Sequence, residues 1–368
     1  MRKGKRLIAW IMAVVMLFTI CVFGGNGTAE AAATTPVAKH GRLSVKGADL
    51  VDSKGNKFQL RGISTHGINW DVGSPYVNKK AFKTLRDDWG VNAIRLAMYT
   101  EEYNGYCSGG SQAKLRKLVD KGVGYATDLG MYAIIDWHIL SDGNPNKNKA
   151  QAKKFFTTMA KKYKNNKNVI YEICNEPNGC GWKEIKSYAT DIIKTIRKYD
   201  KKAVIIVGTP TWSQLGTDGT SNEVADSPIK GYKNIMYSLH FYASEWAHNE
   251  YLPAKVAYAR KKKLPIIVSE FGLSPASGDG AINKASADKW MKLLNKYNIS
   301  YFCWSLSNKN ESASLLKPPA GSQVTYPQQE SISRRNILRE RKLLARKHSD
   351  HVYEINSNIG RQPDGLFV

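Results

Sequence analysis

The stretch YEICNEPNG, residues 171–179, joins an apolar run to an ionisable group. The run over residues 169–174 is mostly apolar, and it is followed at once by Asn175 and Glu176. A proline and a glycine then end any regular structure. Short, continuous apolar runs are typical of strands that are buried on both faces of a parallel sheet. The stretch therefore predicts a buried strand with an amide and a carboxylic acid at its carboxyl end.

Similar runs recur along the chain and alternate with amphipathic, lysine-rich segments. The eight strand-like runs are residues 57–63, 91–99, 131–138, 169–176, 203–208, 235–242, 265–272 and 300–306. The helix candidates between them are residues 78–89 (opening with an N-capping asparagine), 149–164, 182–199, 253–263 and 285–297. We expect an α/β fold, a closed (β/α)8 TIM barrel, rather than an open doubly wound sheet. An open nucleotide-binding sheet should carry a glycine-rich turn after its first strand, and residues 61–70 do not form one.

Residues 41–56 precede the barrel and have the pattern of a short β-hairpin, which we expect to cover the lower end of the barrel. At the other end, functional side chains of such barrels gather where the strands finish. Seven of the eight runs end in or beside a polar or aromatic group: His66, Arg95, His138, Asn175 with Glu176, His240 with Tyr242, Glu270, and Trp304. The barrel prediction therefore places these side chains opposite one another.

Two carboxylates among histidines and an arginine favour acid–base or nucleophilic chemistry over a structural role. A single carboxylate at a strand end would more often anchor a loop or form a salt bridge. A metal site built from His66, His138 and His240 is an alternative, although no HExxH motif, cysteine pair with metal spacing or P-loop is present. We expect no metal and no cofactor.

The motifs at these strand ends resemble those of glycoside hydrolase family 5. They are NEPNG (175–179), DWH (136–138), LHFY (239–242), VSEFG (268–272) and WSLSN (304–308), and the similarity runs from about residue 40 to about residue 314. The resemblance is to bacterial secreted endo-β-1,4-glucanases, or cellulases. It implies a retaining hydrolase in which Glu176 is the general acid/base and Glu270 is the nucleophile. That chemistry needs one acid protonated and the other ionised.

The resemblance also implies roles for the neighbouring residues. Arg95 and Tyr242 match groups that hold the nucleophile ionised and oriented, and Asn175 matches the amide that bonds the sugar 2-hydroxyl. His138 and His240 match histidines of the subsite where the bond is cleaved, although buried core histidine is the alternative for each. Trp304 matches the platform beneath the sugar. Trp70 and Trp212 resemble outer platforms on opposite sides of the cut, with core packing as the alternative. The resemblance is less specific for three further residues, which match hydroxyl-binding groups: His66, Lys309 and Glu311.

Residues 1–33 have the pattern of a secretory signal peptide. A basic start is followed by an apolar segment over residues 7–23 and by AEAAA (29–33), which offers cleavage after Ala31 or Ala33. An uncleaved membrane anchor is the alternative. We expect a secreted, extracellular protein without stable membrane association after cleavage. Export permits disulfides: Cys107 and Cys180 lie in glycine-rich loops where they either pair or stay free, whereas Cys174 and Cys303 are expected in the core.

The chain has 368 residues and a formal charge of +24, from 55 basic and 31 acidic residues. The lysines are grouped near the ends of predicted helices, which suits a solvated basic surface. A nucleic-acid-binding protein is the alternative from another class, but no motif of that class accompanies the charge. The resemblance implies a β-glucan polysaccharide as the partner, and we expect no nucleic acid and a monomer. A non-catalytic carbohydrate-binding protein would use the tryptophans but would not need both glutamates.

The expected catalytic barrel covers residues 34–317, and the basic segment 318–368 departs from the family pattern. Where a closing eighth helix is expected, this segment is polar and arginine-rich. Either residues 331–347 form a short amphipathic helix that completes the barrel, or the segment is a tail unrelated to it. We expect disorder after about residue 348. The sequence leaves the substrate open among cellulose, β-mannan, xyloglucan and mixed-linkage glucan.

Overall fold

Residues 35–318, which the computed structural model describes, contain a closed barrel of eight parallel strands in the order β3 to β10. The strands are β1 Ser44–Lys46, β2 Asp49–Val51, β3 Arg61–Thr65, β4 Ala93–Tyr99, β5 Tyr132–His138, β6 Val169–Glu172, β7 Ile205–Val207, β8 Ile235–Tyr242, β9 Ile266–Gly272 and β10 Tyr301–Leu306. The last strand pairs with the first, with Tyr301 opposite Arg61, and this closes the barrel. The predicted barrel is confirmed. The predicted signal peptide and the predicted basic tail lie outside the described residues.

Helices lie between the strands on the outside of the barrel. They are α1 Pro36–His40, α2 Lys79–Trp89, α3 Gln112–Asp128, α4 Lys149–Tyr163, α5 Trp182–Arg197, α6 Pro210–Ser213, α7 Glu223–Asp226, α8 Trp246–Lys261 and α9 Lys284–Lys296, with a 3₁₀ turn at Ser74–Tyr76. Asn78 caps α2 as expected, because its side chain accepts a hydrogen bond from the Ala81 N–H. None of the described helices combines the length and apolar character that a bilayer span requires.

The structure corrects several predicted boundaries. Helix α3 was not predicted, and α8 begins at Trp246 instead of residue 253, so that Pro253 lies inside the helix. The first barrel strand begins at Arg61, four residues later than expected, and β6 ends at Glu172. The ladder of β6 stops there, yet the Asn175 and Glu176 N–H groups still donate to the carbonyls of Trp137 and Ile139. The segment that carries the acid is therefore held against β5 without being a regular strand.

The hairpin β1–β2 covers the amino-terminal end of the barrel, where it completes an inner core. Leu43 and Leu50 pack there with inward side chains of the barrel such as Ile134 and Ile170, and all four are buried. The Val45 N–H donates to the Asn234 side chain, which directly precedes β8. Because the hairpin closes this end with apolar side chains, the barrel opens only at the carboxyl ends of its strands.

A second and larger core lies between the strands and the surrounding helices. It includes Cys174, as predicted, and Cys303 packs in the same layer. Cys107 and Cys180 are free thiols in the structure and are half-buried against this core. Of the two arrangements left open for them by the sequence, the structure therefore has the unpaired one.

Candidate active site

A cavity of about 520 Å³ opens at the carboxyl ends of the barrel strands. Ten of the predicted site residues line it: His66, His138, Glu176, Trp212, His240, Tyr242, Glu270, Trp304, Lys309 and Glu311. It is also lined by residues that the sequence did not single out: Tyr99, Leu140, Gln214, Glu245, His248, Ala276, Ser277 and Gly278. Arg95 and Asn175 lie buried behind the cavity wall, and Trp70 packs against Tyr99 at its edge.

Glu270 lies at the end of β9 and accepts two strong hydrogen bonds. The Tyr242 hydroxyl donates to its Oε1 at 2.8 Å, and Arg95 Nη1 donates to its Oε2 at 3.1 Å. Both oxygens thus face donors, one of them permanently charged, which fixes the orientation of the carboxylate toward the cavity. This arrangement presents Glu270 as an oriented acceptor.

Arg95 is fully buried and is surrounded by acidic groups. Besides Glu270, it contacts Glu172 at 2.7 Å and Asp136 at 3.0 Å. Burial by itself would lower the pKa of Arg95, but the neighbouring carboxylates outweigh burial and raise that pKa. Burial raises the pKa of Asp136 to about 7, with the Arg95 charge opposing the rise. Burial likewise raises the pKa of Glu172. The single guanidinium therefore anchors three carboxylates beneath the cavity.

Glu176 has different neighbours from Glu270. Its side chain is 13% exposed, and its Oε1 lies 2.8 Å from Nδ1 of His240. Burial raises the pKa of Glu176 to about 8, and the nearby Asp136 and Glu172 carboxylates add to the rise against the opposing Arg95 charge. Burial also lowers the pKa of His240 to about 4, so the imidazole is neutral near pH 7. Glu176 is therefore protonated near neutral pH and faces an uncharged partner.

Beneath the cavity, a chain of hydrogen bonds through Ser269 and His240 connects Glu172 to Glu176. Ser269 Oγ donates to Glu172 Oε1 at 2.6 Å and lies 2.9 Å from Nε2 of His240. With the serine proton directed to Glu172, His240 Nε2–H is the donor to Ser269 Oγ, and Nδ1 is left as an acceptor. The pattern of partners thus assigns the tautomer in which Nδ1 accepts from a protonated Glu176.

The two candidate catalytic carboxyl groups lie close together. One ligating atom each from Glu176, His240 and Glu270 can be chosen so that all lie within 4.8 Å of one another. In residues 35–318 this is the one group of at least three potential ligands at metal-binding separations. The alternative metal trio of His66, His138 and His240 is therefore not brought together in the described part of the chain. Hydrogen bonds already engage Glu176 Oε1, His240 Nδ1 and both carboxylate oxygens of Glu270.

His138 and Asn175 form a buried layer beside Arg95. His138 Nδ1 lies 2.6 Å from Asp136 Oδ2, and its Nε2 lies 3.2 Å from Nδ2 of Asn175. Burial lowers the pKa of His138 to about 3. The Asn175 amide also accepts from Arg95 Nη2 at 2.5 Å and donates to the Ile139 carbonyl at 3.1 Å. The orientation of the amide is thus fixed by its oxygen's contact with the guanidinium.

Aromatic rings form one wall of the cavity. Trp304 stacks on His138, with ring centres 5.4 Å apart, and lies 5.2 Å from the His66 ring. Trp70 packs against Tyr99 at 4.5 Å, and its indole N–H donates to the Tyr103 carbonyl at 2.8 Å. Trp304 and Trp70 therefore belong to one connected aromatic surface on the same side of the cavity.

Trp212 lies on the other side of the cavity, next to the candidate acid. It is 43% exposed, and its backbone N–H donates to the Pro177 carbonyl at 3.0 Å. Segment α6, which carries it, is a left-handed turn, with positive φ angles from Thr211 to Ser213. Such angles are unfavourable for residues with side chains and are retained where the surrounding structure holds them. The turn thus fixes Trp212 beside the loop of Glu176.

A polar group lies between the aromatic wall and the β9–α9 loop. Lys309 Nζ contacts Glu311 Oε2 at 2.5 Å, and Glu311 Oε1 lies 3.8 Å from His66 Nε2. His66 Nδ1 accepts from the Gly67 N–H, so a neutral ring carries its proton on Nε2, facing Glu311. Burial, with the Lys309 charge adding to it, lowers the pKa of His66 to about 3. The contact between His66 and Glu311 is accordingly not an ion pair.

Besides the lining residues named above, the sequence did not identify the buried residues that support the site. Asp136, Glu172 and Ser269 are fully buried and hold Arg95 and His240 in place. A signal was present, because Asp136 and Glu172 are ionisable residues inside otherwise apolar strand runs. Such residues need a buried partner of opposite charge, and Arg95 is the basic residue in a neighbouring run.

Comparison with known proteins gives consistent matches to one family. The family model described as cellulase (glycosyl hydrolase family 5) matches residues 51–310. Endoglucanase A of Butyrivibrio fibrisolvens is 44% identical over 315 residues, covering 84% of this chain and 70% of that protein. An endoglucanase of Clostridium saccharobutylicum is 47% identical over 326 residues, covering 87% of this chain and 68% of that protein.

Solved structures give the same result. Cellulase Cel5C_n matches with a TM-score of 0.75 and 38% identity, over 84% of this chain and 94% of that chain. The catalytic domain of Thermobifida fusca endoglucanase Cel5A, in complex with cellotetraose, matches with a TM-score of 0.73 and 36% identity, over 84% of this chain and 99% of that chain.

Proposed function

The chain belongs to glycosyl hydrolase family 5 and is an endoglucanase of that family, and from this premise we propose that it hydrolyses internal β-1,4-glucosidic bonds of cellulose and related β-glucans with retention of configuration. Glu270 is the nucleophile and Glu176 is the general acid/base. The whole site lies at the open end of the barrel, where the cavity is lined by both acids and by aromatic rings.

The observation that carries the proposal is the pair of unlike environments around two like acids. Glu176 is held in its neutral form by burial and by carboxylates behind it, whereas Glu270 faces a guanidinium and a phenol. One oxygen of each acid lies within 4.8 Å of the other, close to the separation of about 5–5.5 Å in retaining enzymes, which leaves no room for a water between Glu270 and the anomeric carbon.

In the first step Glu270 attacks the anomeric carbon, and the bond from that carbon to the bridging oxygen breaks. Glu176 gives its proton to that oxygen, so the departing chain leaves as an alcohol, and a covalent glycosyl-enzyme remains. The negative charge of Glu270 has then been consumed. In the second step Glu176, now ionised, takes a proton from water as the water attacks the same carbon and releases Glu270 as a carboxylate.

The remaining predicted residues have binding roles in this scheme. Trp304 forms the platform beneath the sugar at the cleaved bond, and Asn175 bonds its 2-hydroxyl. His138 and His240 line that subsite, while Trp70 and Trp212 stack sugars on opposite sides of the cut. The hydroxyl-binding group is His66, Lys309 and Glu311. Aromatic faces suit the C–H-rich faces of β-linked glucose, which explains a cavity wall built from rings.

The substrate is tested by comparing viscosity with reducing ends. For an endo-acting β-1,4-glucanase, we expect the viscosity of carboxymethylcellulose to fall faster than reducing ends appear. Barley β-glucan, xyloglucan, mannan and xylan are run in parallel under identical conditions. A rate on mannan far above that on any glucan would reject the proposed substrate. A relative in complex with cellotetraose supports the choice of glucan.

The stereochemical part is tested separately. Proton NMR of the first product should show the β-anomer before mutarotation produces the α-anomer. An initial α-anomer would mean inversion and would remove Glu270 from the role of nucleophile.

We further propose that the enzyme is secreted and acts as an extracellular monomer, without stable association with a membrane. The amino-terminal pattern over residues 1–33 and the solvated basic surface support this. The mature amino terminus is measured by sequencing the protein from the culture medium, and its mass by light scattering.

A further inference from the structure

Three of the large exposed aromatic residues lie near one another on the barrel rim. Among residues 35–318 the large apolar side chains with high exposure are Tyr103 (81%), Trp246 (68%), Trp212 (43%) and Tyr251 (38%). Trp212 follows β7, and Trp246 and Tyr251 lie in the first two turns of α8, which follows β8. The loops after neighbouring barrel strands meet at the same end. Exposed rings gathered at one place favour ligand contact over chance exposure.

The two rings of α8 are held in place. Trp246 and Tyr251 pack edge to face, with ring centres 5.8 Å apart and planes at 82°. The Tyr251 ring lies over the backbone of Gly219, where a Cβ atom would come within 2.8 Å of the ring. Lys255, one turn further on, donates to the Gln214 carbonyl at 3.0 Å and to the Asp218 carbonyl. The helix is therefore tied to the loop after Trp212, and the pair is ordered before any ligand arrives.

The aromatic pair continues a wall of the candidate active site. Glu245 and His248, on either side of Trp246 in the sequence, line the cavity, as do Trp212 and Gln214. Glu245 Oε1 also accepts from the Ala276 N–H at 2.7 Å, which joins the start of α8 to the loop after the neighbouring strand β9. The cavity itself does not include Trp246, so this side chain lies beyond its edge.

We propose that Trp246, supported by Tyr251, is an additional binding platform for a β-1,4-glucan chain where the chain leaves the cavity on the leaving-group side. The inference rests on the proposed function. The side follows from the contacts: Trp212 is bonded to the residue after Glu176, and the acid must face the departing sugar. Trp70 and Trp304 form the opposite wall. A flat ring at this place holds distant sugars of a long chain and leaves short substrates without contact.

The experiment uses cellohexaose labelled at its reducing end and an aryl β-cellobioside, whose leaving group is a single ring. For Trp246→Ala we expect kcat/KM on cellohexaose to fall about 3- to 10-fold, the range given by the loss of one aromatic stacking contact. The labelled product should also become shorter, because binding no longer favours several sugars on the leaving-group side. The loss on the aryl cellobioside should be much smaller, and Trp246→Phe should restore most of the cellohexaose rate.

Tyr103→Ala is the matched control, since it removes the most exposed ring of the described residues from the Trp70 side of the rim. It should leave the length of the labelled product unchanged. Unchanged product length in Trp246→Ala would overturn the platform, as would weaker binding to insoluble cellulose with unchanged oligosaccharide cleavage. If the unaltered enzyme hydrolyses neither substrate, the proposed function itself fails, which is a separate result.

Discussion

Glu176 and Glu270 are the same kind of side chain, and their neighbours alone separate their roles. Glu176 faces a neutral imidazole and lies near two further carboxylates, whereas Glu270 is bonded to a guanidinium and a phenol. The environment of Glu176 thus holds the proton on that acid near neutral pH. At the residue scale, the proposed chemistry depends on Arg95 and His240 as much as on the two acids.

Azide rescue separates the two glutamates. Glu176→Ala should abolish cleavage of polysaccharide. Aryl glycosides with good leaving groups should still form the glycosyl-enzyme at a substantial rate. Azide should then attack the trapped glycosyl-enzyme and give a β-glycosyl azide. Glu270→Ala removes the proposed nucleophile, so azide should attack directly from the opposite face and give an α-glycosyl azide. Since general acid–base catalysis contributes typically about 10²–10⁴-fold, the losses are easily measured.

The control for this pair is Glu245→Ala, which removes a carboxylate that lines the cavity but contacts neither glutamate in the described structure. It should keep the rate on aryl glycosides and yield no azide adduct. Exchanged anomers in the two mutants would reverse the assignment of acid and nucleophile.

The raised pKa of Glu176 predicts the alkaline side of the pH–rate profile. Because the first step needs the protonated acid, kcat/KM should fall tenfold per pH unit as the pH rises through about 8. The measurement is initial rate against pH on an aryl cellobioside with a poor leaving group. With an excellent leaving group, proton donation matters less and the fall should be smaller. Identical profiles for both substrates would contradict the role of Glu176.

The same pKa predicts an effect on stability. The pKa of Glu176 is about 8 in the folded protein and close to its ordinary 4.5 when unfolded. The neutral form therefore stabilises the fold at low pH, and this contribution is lost progressively as the pH rises from about 4.5 through about 8. Relative to the unaltered protein, the melting temperature of Glu176→Gln should rise between pH 5 and pH 9. A difference in melting temperature that stays constant from pH 5 to pH 9 would contradict the raised pKa of Glu176 in the folded protein.

At the scale of elements, the sequence predicted the strands well because each apolar run has no exposed face. It did not predict helix α3, which contains two glycines, Gly122 and Gly124, that disfavour a helix. The structure shows that packing overrides this preference at Gly122, where a Cβ would come within 2.6 Å of the Leu96 side chain. Because Gly122 has no side chain, α3 approaches β4 closely there. This contact joins two separate segments of the chain, so the sequence of α3 alone does not predict it.

The buried support of the site was missed for a related reason. Ser269 directly precedes Glu270, and simple alternation along a strand would direct the two side chains to opposite faces. The pairing of β8 with β9 shifts register between Ser238 and His240, and both Ser269 and Glu270 bond to groups beneath the cavity. Local irregularity of this kind arises from the pairing of two strands, so one strand's sequence does not predict it.

Gly208 tests how one element positions another. A Cβ there would lie 2.1 Å from the Cys174 carbonyl oxygen and 2.7 Å from the Pro177 ring, on either side of the catalytic loop. Gly208→Ala should therefore cost about 1–3 kcal/mol of stability and lower kcat more than an equally destabilising change elsewhere. Thermal unfolding and rates on an aryl cellobioside measure both effects.

Gly124→Ala is the matched control, because nothing lies within 4 Å of a Cβ at that position in α3. It should stabilise the protein by about 0.5–1 kcal/mol and leave the rate unchanged. Full activity in Gly208→Ala would show that the loop of Glu176 does not depend on the close approach of β7.

At the scale of the whole molecule, the positive charge is distributed unevenly. Basic residues occupy the last turns of most long helices, among them Arg86 in α2, Lys161 and Lys162 in α4, Lys194 and Arg197 in α5, Arg260 and Lys261 in α8, and Lys296 in α9. Each charge there is favourable toward the helix dipole. Since helices run opposite to the strands in this fold, these ends lie at the hairpin end of the barrel, away from the cavity. The net charge is thus compatible with a neutral glucan as substrate.

The last prediction concerns the extent of the folding unit. All eight strand pairings of the barrel lie within residues 61–306, and the cellulase family match ends at residue 310. The final contacts of the described chain are the Leu315 and Leu316 N–H groups, which donate to the carbonyls of Ser305 and Ser307. If residues 331–347 do not complete the barrel, ending the chain after Lys317 should leave the melting temperature nearly unchanged and the rate on carboxymethylcellulose intact. Differential scanning calorimetry of the two lengths makes the comparison.

Ending the chain before Ser314 is the control that should destabilise, because it removes the Leu315 and Leu316 bonds to β10 and its following loop. A large drop on removing only the segment after Lys317 would show instead that it packs on the barrel as a closing helix.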